Sequence, residues 1–182
     1  MTASIPPAPV LVLFRDDFRL SDNPALHAAC ATGQPVLCAY VQDEACLPKG
    51  VIGWWLAQAA GALAEALGKQ GGTLLTPEGE TLSVVQDLVK AAGVSEVFWN
   101  RRYDPVGKEI DTALKAALTE QGVAVQSLSA RLLHEPWAVR TGAGASLPDF
   151  YGMVARSTGA GRARSPPARP ADYSVCRFAG GV

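Results

Sequence analysis

The stretch Val10 to Leu26, VLVLFRDDFRLSDNPAL, constrains the fold more than any other part of this chain. Five apolar residues, Val10 to Phe14, run without interruption and then stop at Arg15, Asp16 and Asp17. An unbroken run rich in Val and Leu reads as a strand buried on both faces, the condition of a strand inside a parallel sheet. Asp22 or Asn23 is placed to cap a helix that Pro24 opens. A short polar side chain accepts from the free N–H groups of the first turn, and proline lacks the N–H that would go unpaired there. The chain thus leaves a buried strand, makes a charged loop and enters a helix. In open α/β sheets, ligands bind at the carboxyl ends of the strands. A solvated loop with an N-cap is the other reading these residues allow.

The same grammar repeats. Strand-like runs recur at Pro35–Val41, Thr73–Leu75, Glu96–Trp99 and Val123–Leu128. Helical stretches lie between them. The first runs from Pro24 to Thr32 and is stopped by Gly33. Trp54–Leu67 carries Leu56, Ala60, Leu63 and Leu67 on one face. Glu80–Ala92 turns Leu82, Val85, Leu88 and Val89 inward and stops at Gly93. The last passes through Ile110, Leu114, Ala117 and Leu118 to Gly122. Five alternations of strand and helix require parallel strands joined by crossover helices. The expected fold is α/β, a doubly wound, Rossmann-like, five-stranded parallel sheet over residues 10–140, after a flexible lead-in at 1–9. No G-x-G-x-x-G phosphate fingerprint follows the first strand.

A net charge of −1 supplies no bulk attraction to nucleic acid or to an anionic membrane. No run approaches the ~18 apolar residues of a membrane span. Residues 1–9 lack the basic start and apolar core of a signal peptide. A cytoplasmic protein with no membrane contact and no direct DNA contact is expected. The four cysteines show no metal-ligand spacing. Three of them, Cys30, Cys38 and Cys46, fall in or beside apolar segments, where buried free thiols are expected.

The opening stretch also carries a resemblance. Phe14-Arg15-x-Asp17-x-Arg19-Leu20-x-Asp22-Asn23-x-Ala25-Leu26 resembles the opening signature of the DNA photolyase and cryptochrome family, with Leu13 and Phe18 where the family usually has Trp and Leu. Trp99-Asn100-Arg101-Arg102-Tyr103-Asp104-Pro105 is similar to a second family motif. Leu132-Leu133-His134-Glu135-Pro136, with Thr141-Gly142 shortly after, is similar to a third. The resemblance covers roughly residues 10–144.

It implies strand order 3-2-1-4-5, so that the loops Arg15–Asn23 and Asn100–Pro105 meet at the switch point between the first and fourth strands. Family members repair ultraviolet-induced pyrimidine dimers with light, or signal from light. Their N-terminal α/β domain can hold an antenna pigment, a folate or a deazaflavin, that passes excitation energy to FAD. The FAD sits in a larger helical domain, which has no counterpart in this chain. The resemblance thus implies an antenna or structural domain, not catalytic alone, whose partner is a helical FAD-binding domain. The candidate antenna contacts are Arg15, Asp16, Arg19, Asn100, Arg101, Tyr103 and Glu109. His134 is a further polar candidate. Folate-type members place an Asn-Glu pair where this chain has Val106 and Gly107, with Glu109 slightly later. Asp16, Asp17, Arg101 and Arg102 either lace the two loops together or reach a ligand. The alternative function is a stand-alone α/β module that binds a nucleotide-like molecule in the same cleft.

From residue 145 the composition shifts to Gly, Ala, Pro, Ser and Arg, with no lysine and no hydrophobic period. Such a segment buries too little apolar surface to offset its ordering entropy, so residues 141–182 are expected to be disordered. An out-of-frame origin fits the tail best. Back-translation of Leu147–Arg156 moved one base forward permits a family-like aromatic and Arg-rich run. One Trp is obligatory there, because the Met153 codon followed by the G of Val154 spells it.

Overall fold

The computed structural model describes residues 7–132 together with residues 135 and 178. Strands β1 (Val10–Phe14), β2 (Val36–Tyr40), β3 (Leu74–Leu75), β4 (Glu96–Asn100) and β5 (Ala124–Leu128) alternate with helices α1 (Pro24–Ala31), α2 (Val51–Gly68), α3 (Thr81–Ala92) and α4 (Pro105–Glu120). The sheet order is β3-β2-β1-β4-β5 and every pairing is parallel. The expected doubly wound sheet is therefore the one the chain forms.

The central strand decides the layers. All five residues of β1 are at most 1% exposed. Because successive side chains of a strand point to opposite faces, Val10, Val12 and Phe14 pack with Leu26, Ala29, Leu63, Leu67 and Phe98 on one side. Leu11 and Leu13 pack with Val85, Val89, Trp99, Leu114 and Leu118 on the other. Each of the Val, Leu and Phe side chains among them contributes about 1.5–3 kcal/mol relative to exposure. Phe14 lies beside Tyr40, and Leu13 lies beside both Ala39 and Trp99. The carboxyl ends of β1, β2 and β4 thus finish level, and the three loops that follow share one rim.

Three differences from the sequence reading have physical causes. Helix α2 begins at Val51 rather than Trp54, and only Leu63 and Leu67 of its expected face are buried; Leu56 and Ala60 are half-buried. β3 is only two residues long, so the first turns of α2 have little sheet to lie on. Val51, Ile52, Trp54 and Trp55 stay exposed there. Second, Cys38 is a buried free thiol, which burial pushes up to about 12, but Cys46 is free yet only half-buried, and Cys30 is disulfide-bonded rather than a free thiol. It is half-buried on α1, not sealed in the core. Third, Phe178 of the tail pairs with Val36 and packs partly buried against the α1–α2 side of the sheet. The short β3 leaves the start of β2 uncovered, and an aromatic ring fills that edge. The expected disorder of the rest of 141–182 and the candidate His134 lie outside the described residues, as do residues 1–6 of the lead-in. Among the described residues no helix is long and apolar enough to cross a membrane.

Candidate functional site

Asn100, the last residue of β4, organises the switch point. It is 4% exposed. Its Oδ1 accepts from the Ala25 N–H at 3.1 Å, and its Nδ2 donates to Asn23 Oδ1 at 2.8 Å and to the Asp17 carboxylate. Asn23 in turn caps α1, accepting from the Leu26 N–H at 3.1 Å, and donates to the Arg19 carbonyl at 3.0 Å. Asp17 accepts from the Arg15 N–H at 2.9 Å. One amide therefore ties the end of β4 to the whole 15–23 loop. Asp22 adopts a left-handed φ of 54° within this loop, a conformation that Asp tolerates better than most residues.

Behind the loop lies a buried charge cluster. Arg15 and Arg102 are 8% and 9% exposed. Both pair with one carboxylate, Asp111 of α4, at 2.9 and 3.7 Å. Arg15 makes the shorter contact, and the Nε atoms of both arginines have no hydrogen-bond partner among the described residues. Burial lowers the pKa of the Arg15 guanidinium from its usual value, and Asp111 opposes that shift.

Asp43, after β2, is committed to capping α3. Its Oδ2 accepts from the Thr81 N–H at 2.9 Å and from the Thr81 hydroxyl at 2.7 Å, and its Oδ1 accepts from the Ala45 N–H. Burial alone would raise its pKa, but these donors, with Arg102 nearby, carry it below the ordinary carboxylate value. Asp104 caps α4 through the Gly107 N–H at 2.6 Å, and its pKa is lowered in the same way, against burial.

These groups surround a cavity of about 440 Å³ at the carboxyl ends of β1, β2 and β4. Tyr40, Val41, Leu47, Leu56 and Val106 give it apolar walls, and Arg15, Arg102 and Arg131 bring charge. Burial, with Asp16 adding to it, raises the Tyr40 pKa and keeps that phenol protonated. With the capping carboxylates already engaged, the cavity sets apolar walls beside arginines, the lining typical of a small-molecule site.

The expected site residues divide among different surroundings. Arg15 and Asp16 line the cavity, and Asp16 pairs with Arg131. Arg101 and Tyr103 line a separate groove of about 680 Å³ beside α4. There Arg101 pairs with Glu135 and donates to the Ser127 carbonyl, and the Tyr103 hydroxyl reaches Glu135 at 3.0 Å. Burial, assisted by Glu135, raises the Tyr103 pKa. Arg19 is exposed, donates to the Ala130 carbonyl at 3.2 Å and pairs with Asp22 at 3.5 Å. Arg19, Asn100 and the exposed Glu109 line neither space. Asp17 thus laces the two loops through Asn100, Arg101 ties the end of β4 to that of β5, and Arg102 reaches the cavity. Sequence reasoning missed Tyr40, Asp43 and Asp111. Asp43 was legible as the first acid after a buried strand. Asp111 was hidden on a helix face, and only the fold brings it under Arg15. Among the described residues no group of three or more His, Cys, Asp or Glu side chains gathers as a metal site.

Residues 10–171 match the DNA photolyase family. The chain is 44% identical to a deoxyribodipyrimidine photo-lyase of Agrobacterium fabrum over 142 residues, which is 78% of this chain and 30% of that protein. It is 39% identical to cryptochrome-1 of Arabidopsis thaliana over 134 residues, covering 71% of this chain and 20% of that one. Among solved structures, a bacterial class III photolyase from Agrobacterium tumefaciens superposes with a TM-score of 0.90 at 37% identity, covering all of this chain and 37% of that one. The chain therefore spans about a third or less of the length of these relatives.

Proposed function

The chain belongs to the DNA photolyase family, and from that premise we propose that it is the antenna-holding α/β domain of a light-driven DNA-repair photolyase. In this reading it works with a helical FAD-binding domain, acts in the cytoplasm, and neither binds nor repairs DNA alone. The observation that carries the reading is the cavity at the switch point. Its volume, about 440 Å³, falls within the range of about 300–1,000 Å³ typical of small-molecule sites. An antenna pigment supplies one thing when bound, excitation energy passed to FAD. The protein's part is to hold a ring flat, to orient its polar edge and to exclude water.

The residues favour a deazaflavin-type ring over a folate. A folate held by an Asn-Glu pair would need side chains at Val106 and Gly107. A Cβ at Gly107 would stand 2.7 Å from Arg102 Nε and from both Asp104 carboxylate oxygens, so α4 has no room for one without displacing its own cap. A flat ring between Tyr40, Leu47, Leu56 and Val106 makes no such demand. Arg15, Asp16 and Arg102, which line the cavity, would hold its polar edge. Arg19 and Asn100 hold the loop that carries Arg15 and Asp16.

The test is absorbance after gel filtration of the protein mixed with a deazaflavin or with a folate. The wild type is expected to retain a near-ultraviolet or blue band at one pigment per chain, and Val106→Trp, which fills the cavity, to lose at least tenfold in affinity. A protein that retains neither pigment, yet takes up nucleotides calorimetrically in a Val106-dependent manner, would instead be a stand-alone nucleotide-binding module.

A further inference from the structure

Helix α2 differs from the helices on the other face of the sheet in what it shows to solvent. Between Lys49 and Glu65 the chain holds no charged residue, whereas α4 carries Lys108, Glu109, Asp111, Lys115 and Glu120. Leu63 and Leu67 bury the far end of α2 against the sheet. At its start Val51, Ile52, Trp54 and Trp55 stay in solvent, and the two indoles are 61% and 65% exposed. Residues three and four apart on a helix are neighbours, so these four side chains form one patch. Exposed Gln58, Gly61 and Ala62 extend it without charge. A helix that is apolar on all sides is ordinarily a covered one.

Size and place identify what covers it. The two indoles present roughly 200–300 Å² of apolar surface, since a whole aromatic side chain buries about 150–250 Å². With Val51 and Ile52 beside them, the patch reaches the roughly 300–600 Å² that marks an interaction surface on a monomer. Trp is also among the residues that carry most of the binding energy of an interface. Because α2 follows β2, its first turn stands on the carboxyl rim of the sheet, and Leu56, next after Trp55, lines the cavity. The chain leaves β5 on that same rim. Ala130 accepts there from Arg19, Arg131 pairs with Asp16 beside the cavity, and Leu132 is exposed. This chain accounts for 37% of the superposed class III photolyase. The larger part of such a protein therefore lies beyond it, and the main chain heads toward that part from the rim that carries the patch.

We propose that the opening turns of α2, at Val51, Ile52, Trp54 and Trp55, are the docking surface for a helical FAD-binding domain, which seats an uncharged helix face on the two indoles. The proposal rests on the photolyase-domain reading given above and adds the surface through which that domain is held.

The experiment titrates the 182-residue chain with the part of the Agrobacterium fabrum photo-lyase that lies beyond the matched region, carrying FAD. Indole N–H resonances in a ¹H–¹⁵N NMR spectrum report the surface, and calorimetry reports the affinity. The probe is expected to shift or broaden the Trp54 and Trp55 resonances and to leave that of the buried Trp99 in place. Trp54→Gln/Trp55→Gln, which alters only exposed side chains, is expected to bind the probe at least tenfold more weakly while keeping the Tm and pigment retention of the wild type. Lys115→Gln, on the other face of the sheet, is expected to bind as the wild type does. A probe that binds without moving Trp54 or Trp55, or that binds the double variant undiminished, overturns the surface and leaves the photolyase-domain reading standing. A wild type that binds neither probe nor pigment overturns both. In sedimentation equilibrium the chain alone is expected to be a monomer; a dimer that the double variant abolishes would give this face to a second copy and overturn the proposal.

Discussion

Replacing Asn100 by Ala should unfasten the switch point. The side chain is buried, and its loss leaves the Ala25 N–H, one acceptor of Asn23 and the Asp17 carboxylate without their partner. A neutral hydrogen bond contributes about 0.5–1.5 kcal/mol net and one to a charged group about 1.5–3 kcal/mol, so the three together should cost about 3–5 kcal/mol. That is a large share of the roughly 5–15 kcal/mol by which domains are stable, and it should lower Tm by about 10 °C or more. Urea unfolding followed by far-ultraviolet circular dichroism should show a lower midpoint with an unchanged slope. Asn100→Asp separates shape from bonding. It fills the same volume but turns a carboxylate toward Asp17 and Asn23 Oδ1, so at neutral pH it should destabilise at least as much as Ala. The double variant with Asn23→Ala should be non-additive by at least about 1 kcal/mol, because the two share one network. A loss below about 1 kcal/mol for Asn100→Ala, or an Asn100→Asp protein as stable as wild type, would refute the role assigned to this residue.

Gly107→Ala normally improves a helix by about 1 kcal/mol, but here the new methyl meets Arg102 Nε and the Asp104 carboxylate at 2.7 Å; thermal unfolding should show a net loss, and a gain would contradict the crowding. Asp43 has a lowered pKa in the folded state, so its contribution is complete above the ordinary carboxylate value, ~4, and is lost as pH falls through the lower folded value. Asp43→Asn should therefore flatten stability against pH in that acid window, and an unchanged slope would remove the group from the account. Arg19→Ala, at an exposed residue whose contacts lie within the α/β domain, should cost at most about 1 kcal/mol and should weaken pull-down of a separate helical domain; no change in either would leave the loop merely solvated. Resequencing of the gene near the Ser146 codon should reveal a second frame that continues into a Trp-rich helical domain; an immediate stop in that frame would make the tail a native extension.

The sheet was legible because its signals are local and redundant. Val10–Phe14 can be buried on both faces only in the middle of a parallel sheet, and Asn23-Pro24 and Asp104-Pro105 each supply a cap and a first helical residue. The candidate site was only half legible, for a physical reason. Sequence places Arg15 and Asp16 at the end of a strand, but which acid lies beneath Arg15 depends on how α4 packs over β4. Asp111 therefore could not be read in advance. Asn100, a candidate ligand contact in the sequence, holds the 15–23 loop in the structure; a buried amide with both donors and acceptors suits either task, and only its neighbours decide. Arg101 and Tyr103 line only the groove beside α4, whereas Arg102 between them reaches both that groove and the cavity, a division that sequence adjacency does not reveal.

The central claim is that this α/β domain serves photorepair without performing it. A repair assay tests that claim most directly: dimer-containing DNA incubated with the 182-residue protein, added FAD and near-ultraviolet light, with intact pyrimidines counted over time. The account predicts no turnover above the protein-free control at any protein concentration. Light-dependent, catalytic restoration of the dimers by this chain alone would contradict it.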